Sequence, residues 1–483
     1  MALRFYNTLT RSLDEFRPLE EGRVGVYACG PTVYQLPHIG NYRTFLFNDL
    51  LHRYLEWKGY TVAFVMNLTD VDDKIIEGAR AAERPIDEYV RPFIDGFLSE
   101  LDRLGARPAD ANPRATENLD AMRDLVTRLL ENGHAYRTED GSVFFDISSF
   151  DGYGKLSRIP LDEVRAGDRV ASDEYEKGDA RDFALWKGAK EVDRQVGAVW
   201  EAPWGEGRPG WHLECSAMSM AALGETFDIH TGGEDLVFPH HEDEIAQSEG
   251  ATGRPFVRYW LHARHLLMET EKMSKSLGNV VRLGDVLDSG YSPAAVRYLL
   301  LSAHYRRELS FSFDGLDDAR NAVRRLVDFR DRLLSVPTGD EAPGSDLPAI
   351  ADRALAAFEE GLDDDLNAPA GLAALFTFVR ETNAALDRAG TIPAPDLDRT
   401  RSALASMDDV LGILELFDRD ARPDDDMAVW VEQKLEERQQ ARRDRDFARA
   451  DAIRDELVAA GVVVEDTPQG PRWKLGAGAP ASR

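Results

Sequence analysis

Four side chains that lie far apart in the sequence form a set able to bind zinc. The chain holds two cysteines, Cys29 and Cys215. His240 and Glu244 lie four residues apart, which puts both on one face of a predicted helix that begins near Pro239. Thiolate, imidazole and carboxylate groups are the ligands that Zn²⁺ takes in proteins. We therefore predict that one metal ion binds Cys29, Cys215, His240 and Glu244.

Spacing alone leaves other interpretations of these residues open. A free cysteine is most often a small buried apolar side chain rather than a ligand. His212, His230 and His241 are either competing ligands or ordinary core histidines. The elements that position these side chains must therefore be considered before a metal is assigned.

The first cysteine follows a predicted strand of a parallel sheet. Residues 23–28 form a short apolar strand, residues 44–55 carry apolar side chains at helical spacing until Gly59, and residues 61–66 form a second strand. Such a unit begins a doubly wound parallel sheet, whose ligands bind beyond the carboxyl ends of the strands. The helix N-terminus near Gly40 would then favour a phosphate, because its free N–H groups and its dipole attract anions.

Periodicity along the rest of the chain predicts the domain organisation. The predicted fold class is α/β, a Rossmann-like doubly wound parallel sheet with an inserted connective domain, followed by an α-helical bundle and a small C-terminal α+β unit. The predicted bounds are 1–115 and 206–312 for the two halves of the catalytic domain, 116–205 for the inserted region, 313–416 for the bundle, 427–475 for the C-terminal unit and 476–483 for a disordered tail. We expect bundle helices over 316–334, 349–361, 370–388 and 397–415, a linker over 417–426, and one helix over about 427–460 followed by a hairpin.

The overall charge argues against a polyanionic partner unless basic groups are concentrated locally. The formal net charge is -29 and the pI is near 4.8, so long-range repulsion opposes binding to a nucleic acid. A salt-adapted protein would have the same composition. Arg438, Arg442, Arg445 and Arg449 share one face of the predicted terminal helix, but the acidic residues between them are equally consistent with a solvated, salt-bridged helix.

Membrane and secretion patterns are missing from the sequence. No apolar run approaches the ~18 residues of a membrane span, and the first residues lack the apolar core of a signal peptide. Two cysteines without a disulfide framework agree with a reducing compartment. We expect a cytoplasmic protein without a membrane partner.

A second reactive segment, KMSKS, occupies residues 272–276. Lys272 and Lys275 bracket Met273 and Ser274 in a polar loop, and such a loop can bring ammonium groups to a triphosphate. The alternative is an ordinary exposed lysine loop.

Together these segments resemble a known family. PHIGN at 37–41 resembles the HIGH motif of class I aminoacyl-tRNA synthetases, and KMSKS is their second motif in full. YACGPTVY, NLTDVDDKI, RPGWHLECSAM, FPHHEDEIAQS and EKMSKSLGN are similar to cysteinyl-tRNA synthetases specifically, and the similarity extends over nearly the whole chain. One departure is Asn41, where the motif's name has a second histidine. Asparagine can donate a hydrogen bond to phosphate but carries no charge.

The resemblance implies a two-step reaction. Cysteine and ATP would form cysteinyl-adenylate, and the cysteinyl group would then pass to the 3' end of cysteine tRNA. It implies one Zn²⁺ per chain, Mg²⁺ with ATP, and three ligands, namely ATP, L-cysteine and cysteine tRNA; we expect a monomer. By resemblance, the catalytic residues are His38, Asn41, Lys272 and Lys275, the ATP-binding residues are His38, Gly40, Asn41, Gly232, Asp235 and Lys275, and the cysteine-binding residues are Gly30, Thr32, Thr69 and Trp211. The pattern around Trp211 alone would favour a core aromatic.

The resemblance also implies a role for the metal, which is to discriminate cysteine from serine. Serine differs from cysteine by one atom, and shape discriminates such pairs by only about 1 to 3 kcal/mol. Direct binding of a soft thiolate to zinc can supply the ~5 to 7 kcal/mol that a ten-thousandfold rejection requires.

The sequence leaves two alternative functions open. One is the related mycothiol-pathway cysteine ligase, which forms the same adenylate but uses an amino-sugar acceptor; the long C-terminal half disfavours it. The other is a non-catalytic synthetase-like module that binds RNA or senses cysteine, which the intact His38, Lys275 and metal-ligand set disfavour.

Overall fold

The computed structural model describes residues 2–159, 181–268, 271–272, 281–339, 344–389, 391–420, 425–460, 462–467 and 470–475. Lys275 and the predicted tail at 476–483 lie outside the described residues. Lys272 is described only as part of a strand.

The N-terminal third combines strands of the central sheet with helices. Its elements are β1 (Arg4–Asn7), β2 (Ser12–Glu15), β3 (Arg23–Ala28), α1 (Ile39–Trp57), β4 (Thr61–Met66), α2 (Asp73–Ala81), α3 (Ile86–Arg103) and α4 (Leu119–Glu131). The next elements are β5 (Ala135–Arg137), β6 (Val143–Phe145), β7 (Phe183–Gly188), α5 (Glu191–Gln195) and β8 (Gly207–Pro209). The chain then forms α6 (Trp211–Leu223), β9 (Phe227–Gly233), α7 (Glu242–Thr252), β10 (Val257–Ala263), β11 (Leu266–Met268), β12 (Glu271–Lys272), α8 (Leu283–Asp288), α9 (Pro293–Leu301) and β13 (Leu309–Phe311).

The central sheet is parallel, with strand order β10, β9, β3, β4. Its strands are apolar and largely buried, as expected where helices cover both faces of a sheet. Val26 lies opposite Ile229, and Ala28 lies opposite Thr231, so β3 and β9 end at the same edge. The predicted strands at 23–28 and 61–66 and the predicted α/β fold class are confirmed.

The segment between β4 and α6 forms a second sheet. Strands β5, β6, β7 and β8 pair in that order and antiparallel. Asp73 at the start of α2 joins this helix to the second sheet, because its carboxylate accepts from Lys187 at 2.9 Å and from Arg208. Lys187 and Arg208 are both buried, so these ion pairs are screened little by solvent.

A helical region follows the catalytic part, as predicted. Its helices are α10 (Phe313–Ser335), α11 (Leu347–Asp363), α12 (Ala368–Arg388), α13 (Ala394–Leu411) and α14 (Ile413–Asp420). The predicted helix over 397–415 divides, because Gly412 takes a left-handed conformation with φ of 62° that ends α13. The linker predicted from 417 is therefore wrong for residues 417–420, which belong to α14.

The C-terminal unit differs from the prediction in one important respect. It contains α15 (Asp425–Arg443), α16 (Phe447–Ala459), β14 (Val462–Thr467) and β15 (Gly470–Leu475). The single helix predicted over 427–460 is wrong: the chain turns at Arg445, whose φ is 58°, and Asp446 caps α16 by accepting from the N–H of Arg449 at 3.1 Å. The antiparallel pairing of β14 and β15 confirms the predicted hairpin.

The turn also removes the predicted arginine face. The two helices pack on each other through a small core of Val431, Leu435, Ile453, Leu457 and Val462. Arg438 is buried at that packing and Arg445 lies in the turn, so the four arginines do not form one exposed helical stripe. Within the described ranges, no helix is both long enough and apolar enough to cross a membrane.

Candidate active site and metal centre

A cavity of about 360 Å³ opens where β3 and β9 end. The loop after β3 supplies Gly30 and Thr32, and the start of α6 supplies Trp211. The segment entering α1 supplies His38, Gly40 and Asn41, and the segment after β9 supplies Gly233 and Asp235. The structure thus brings eight sequence-predicted site residues to one cavity: Cys29, Gly30, Thr32, His38, Gly40, Asn41, Trp211 and Asp235.

One predicted metal ligand, Cys29, lines this cavity, and the other three are buried beside it. The Sγ atoms of Cys29 and Cys215 are 3.7 Å apart, and the Sγ of Cys29 is 4.0 Å from Oε1 of Glu244. That same oxygen is 3.1 Å from Nε2 of His240. All four side chains are buried, so they face each other rather than solvent.

His241 is a fifth candidate ligand. Its Nε2 atom lies 3.4 Å from Sγ of Cys29 and 3.9 Å from Oε1 of Glu244. The group whose ligand atoms all lie within 4.8 Å of one another contains Cys29, His240, His241 and Glu244. Cys215 is outside that group although it lies beside Cys29. The geometry therefore leaves Cys215 and His241 as alternatives for one ligand position.

The two histidines and Glu244 come together through an irregular helix start. Residues Val237–His241 form a wide turn that contains an extended Phe238 and the cis bond before Pro239, and α7 begins only at Glu242. The helix predicted to begin near Pro239 thus begins three residues later. The turn places His240 and His241 side by side over the first turn of α7.

Neighbouring side chains hold the ligand candidates in place. Trp211 stacks on the imidazole of His240 with ring centroids 4.3 Å apart, and Nδ1 of His212 lies 2.9 Å from Nδ1 of His240. Nε2 of His230 lies 2.9 Å from Oε2 of Glu244, which leaves Oε1 facing His240. His212 and His230, open as ligands from sequence, thus lie behind the ligand candidates. Trp211 is a cavity residue rather than only a core aromatic.

A series of hydrogen bonds connects His241 to Thr8 through His262. Nδ1 of His241 is 2.8 Å from Nε2 of His262, and Nδ1 of His262 is 2.7 Å from Oγ1 of Thr8. This series occupies the nitrogen of His241 that faces away from Cys29 and fixes the ring orientation.

Burial gives the cluster a predominantly uncharged state without a metal. It raises the pKa of Glu244 to about 8 and raises that of the Cys29 thiol well above its usual value. It also lowers the pKa values of His240 and His241, and lowers that of His230 to about 3. Neutral imidazoles and displaceable thiol and carboxyl protons are what a divalent cation requires of its ligands. The donor set fits Zn²⁺.

The other end of the cavity is built for an anion. His38 caps α1, and the Oδ1 atom of Asn41 accepts from the backbone N–H of His38 at 3.1 Å. With its oxygen used in the cap, the amide nitrogen of Asn41 remains as a donor. A Cβ added at Gly40 would lie 3.0 Å from the His38 ring, so glycine lets this imidazole fold over the helix start.

Two predicted residues have packing roles beside the cavity. Thr69 is buried and pairs with Thr32 as an isolated bridge, and its hydroxyl accepts from Nδ2 of Asn67 at 3.2 Å. A Cβ added at Gly232 would lie 2.7 Å from the His241 ring. Neither Thr69 nor Gly232 lines the cavity, and Gly233 does so instead of Gly232.

The cavity residues missed from sequence include four with side chains that can bind a polar ligand, namely Tyr34, Gln35, Lys74 and His265. Lys74 lies in the quoted segment NLTDVDDKI, and its ammonium stands 5.3 Å from the centroid of the Tyr34 ring. The preceding Asp72 caps α2, and this capping pattern is the feature that could have placed Lys74 at a helix start beside the cavity. His265 follows β10 and has no pattern of its own.

Comparison with protein families divides the chain into three matched parts. Residues 15–321 match the "tRNA synthetases class I (C) catalytic domain", residues 357–415 match the "DALR domain", and residues 424–473 match the "Cysteinyl-tRNA ligase anticodon binding domain". The chain is 46% identical over 474 residues to the cysteine–tRNA ligase of Solibacter usitatus, covering 98% of this chain and all of that one. It is 43% identical over 474 residues to that of Protochlamydia amoebophila, covering 98% of each chain.

Solved structures agree at the level of the fold. A Mycobacterium tuberculosis methionyl-tRNA synthetase in complex with methionyl-adenylate matches with a TM-score of 0.59 and 19% identity, over 81% of this chain and 90% of that one. A leucyl enzyme, the LeuRS of Agrobacterium radiobacter in a ternary complex, matches with a TM-score of 0.60 and 12% identity, over 83% and 85% of the two chains. At these identities the likeness concerns the fold alone. The full-length relatives and the three matched parts establish the closer relationship: the chain belongs to the cysteine–tRNA ligase family.

Proposed function

We propose that this chain is a cysteine–tRNA ligase, which activates L-cysteine with ATP to cysteinyl-adenylate and transfers the cysteinyl group to the 3' end of cysteine tRNA. The observation that carries the proposal is one cavity with two different ends. Cys29, with a buried cluster of imidazole and carboxylate groups behind it, lies at one end, and the start of a long helix with His38 and Asn41 forms the other. A thiol-bearing amino acid and a triphosphate fit these two ends respectively.

Cysteine selection is assigned to the buried end. Cys29, Cys215, His240 and Glu244 would hold Zn²⁺, which when bound supplies a soft Lewis acid that takes a thiolate far better than a hydroxyl. Gly30 and Thr32 line the space beside Cys29, and Trp211 covers His240. A Cβ at Gly30 would lie 1.7 Å from the carbonyl oxygen of Asn67, so this wall is shaped by close backbone contact.

Adenylate formation is assigned to the helix end. The amide nitrogen of Asn41 and the imidazole of His38 would donate to phosphate oxygens, in the field of the α1 N-terminus. Asp235, which lines the same cavity, would face the adenosine. Lys272 and Lys275 would stabilise the charge that develops on the phosphates, and Mg²⁺ would enter with ATP.

The C-terminal parts favour tRNA over a small acceptor. An amino-sugar acceptor has no use for a separate unit with its own core, and residues 424–473 match an anticodon-binding family. In that unit Phe447 is 63% exposed at the first turn of α16, beside the exposed Arg443 and Arg445. An exposed aromatic among arginines is suited to stack on an unpaired base.

The test compares two activities in two chains. Cysteine-dependent pyrophosphate exchange and transfer of labelled cysteine to tRNA are measured for residues 1–483 and for residues 1–420, which end after α14. We expect the full chain to show both activities and the shorter chain to keep exchange but lose transfer. Exchange without transfer in the full chain would point to the small-acceptor ligase, and neither activity in zinc-replete protein would point to the non-catalytic module.

A further inference from the structure

Arg43 is a buried arginine held by backbone carbonyls. Its side chain is 2% exposed, and no carboxylate pairs with it among the residues that the structure describes. Nη1 donates to the carbonyl oxygens of Arg264 at 3.1 Å and His265 at 2.7 Å. Nη2 donates to those of His304 at 3.0 Å and Arg307. Desolvating a guanidinium is expensive, and burial lowers the pKa of Arg43 to about 10. The free energy needed to bury this guanidinium is therefore larger than an apolar side chain packed at the same position would need.

The four carbonyls belong to two segments that begin a small sheet. Residues 264–265 connect β10 to β11, and residues 304–307 lie just before β13. Strand β11 pairs in parallel with β13, with Leu266 opposite Leu309. It also pairs antiparallel with β12, where Leu267 lies opposite Lys272. Arg43 therefore joins the two chain segments from which this sheet starts, and the sheet carries the first lysine of the KMSKS motif.

The other end of Arg43 belongs to the anion-binding helix. Arg43 follows Asn41 by two residues in the first turns of α1, whose N-terminus also carries His38. The side chain thus spans from the element that presents one phosphate-binding motif to the segments that support the other. Both motifs must bind the same triphosphate, so their separation has to be fixed.

Glu234 holds the same connecting segment from the opposite side. Its Oε1 atom accepts from the backbone N–H of His265 at 3.2 Å, and its Oε2 atom is 3.1 Å from Nε of Arg264. Glu234 directly follows β9 and precedes Asp235, which lines the cavity. Residues 264–265 are therefore fixed by their carbonyls to α1 and by their donors to the end of β9.

We propose that Arg43 is a positioning residue for adenylate formation, which holds the sheet of β11, β12 and β13 against the N-terminal turns of α1 and so sets the separation of the two phosphate-binding motifs. This inference rests on the proposed ATP-dependent function. Arg43 touches neither ATP nor cysteine; it acts through the backbone of residues 264–265 and 304–307. Glu234 helps to hold residues 264–265 in the same position.

Lysine cannot replace arginine here. A guanidinium carries donors on two separate nitrogens that reach the two segments at once, whereas an ammonium is a single point with three donors. We expect Arg43→Lys to keep the charge, lose the bridge, and lower kcat/KM for ATP in pyrophosphate exchange by about tenfold to a hundredfold, as displacement of catalytic groups by an ångström does. The KM for cysteine and the zinc content should stay within about twofold of the parent, because the metal end of the cavity has no contact with Arg43.

The control is Arg297→Lys. Arg297 is also fully buried and also donates to carbonyls, those of Leu411, Leu104 and Gly105, but it also pairs with the carboxylate of Asp49 in the middle of α1 and has no bond to residues 264–265 or 304–307. The Arg297→Lys variant should lower the midpoint of thermal unfolding at least as much as Arg43→Lys does. Its KM values for ATP and for cysteine should stay unchanged. Equal changes in both KM values for Arg43→Lys, or unchanged kinetics with a lowered midpoint, would overturn the proposal.

A second variant and a binding measurement separate this inference from the proposed function. Glu234→Gln keeps the size of the side chain but weakens its hold on Arg264 and His265, and it should shift the ATP constants in the same direction as Arg43→Lys. Calorimetric binding of a non-hydrolysable ATP analogue to both full-length variants should weaken by a similar factor. If the parent binds the analogue but shows no cysteine-dependent exchange, the proposed function fails, while unweakened analogue binding in both variants defeats the positioning role.

Discussion

Glu244 links metal binding to pH at the residue scale. Burial raises its pKa to about 8, so it holds a proton at lower pH, and the thiol of Cys29 is protonated there as well. Zinc binds the deprotonated forms and must displace both protons. Its apparent affinity should therefore fall as pH falls from 8 to 6, by about one decade per pH unit for each proton that the metal displaces. Chelator competition across this range measures the slope.

The matched variant is Glu244→Gln, which has no proton to release at this position. It should bind zinc more weakly at pH 8, and its slope should be smaller than that of the parent by about one decade per pH unit. An identical slope in the two proteins would show that Glu244 does not exchange a proton for the metal.

The fourth ligand can be distinguished by comparing Cys215 with His241. We assign the position to Cys215, because zinc favours thiolate and because the Sγ of Cys215 lies 3.7 Å from that of Cys29. Cys215→Ser should lower zinc affinity by more than about a hundredfold, and His241→Gln by about tenfold, the range of a partner behind the ligands. Zinc affinity of the folded variants checks this, and the reverse order would assign the ligand to His241.

The sequence predicted which residue types would bind the metal, but it could not decide between neighbouring candidates. Cys29, His240 and Glu244 could be singled out because scarce cysteines and an i, i+4 pair stand out in a sequence. His241 could not be separated from them, because the wide turn at Val237–His241 is set by tertiary packing. Lys74 and His265 reach the cavity through folding of distant segments, which periodicity does not encode.

At the scale of elements, strands were easier to predict than helix ends. The central strands are continuous apolar runs bounded by glycine and polar residues, and their parallel order follows from the handed connection. The ends of α13 and α15 depend on single left-handed residues, Gly412 and Arg445. A glycine can be recognised as a stop, but an arginine with positive φ breaks the usual rule and was missed.

The turn between α15 and α16 leaves the side chain of Phe447 exposed, and its proposed stacking on a tRNA base can be tested. In one continuous helix this side chain would join the apolar face, whereas in the structure it is 63% exposed. Phe447→Ala should raise the KM for tRNA by about tenfold, since stacking of one base contributes roughly 1 to 3 kcal/mol. Cysteine-dependent exchange should not change, because the turn lies outside the catalytic cavity.

Val458→Ala is the control for Phe447→Ala. Val458 is 60% exposed on the same helix, near its other end. It should leave both tRNA charging and exchange unchanged. Equal effects of the two substitutions on charging would mean that any apolar loss in this unit matters, and would remove the stacking role from Phe447.

The whole molecule carries a large excess of acidic groups, which sets its response to salt. It has 87 aspartate and glutamate residues and 58 lysine and arginine residues, so the excess negative charges repel one another in the folded state. Surface ion pairs such as that of Arg353 with Glu381 lose strength in salt, but each contributes at most about 1 kcal/mol. Screening of the net repulsion should therefore dominate, and the thermal midpoint should rise between about 0.01 M and 1 M NaCl, as the Debye length falls from about 30 to 3 Å. Cysteine-dependent exchange should also persist at the high end. A midpoint and an exchange rate that both peak at low ionic strength would contradict salt adaptation, and would show that the exposed ion pairs outweigh the net charge.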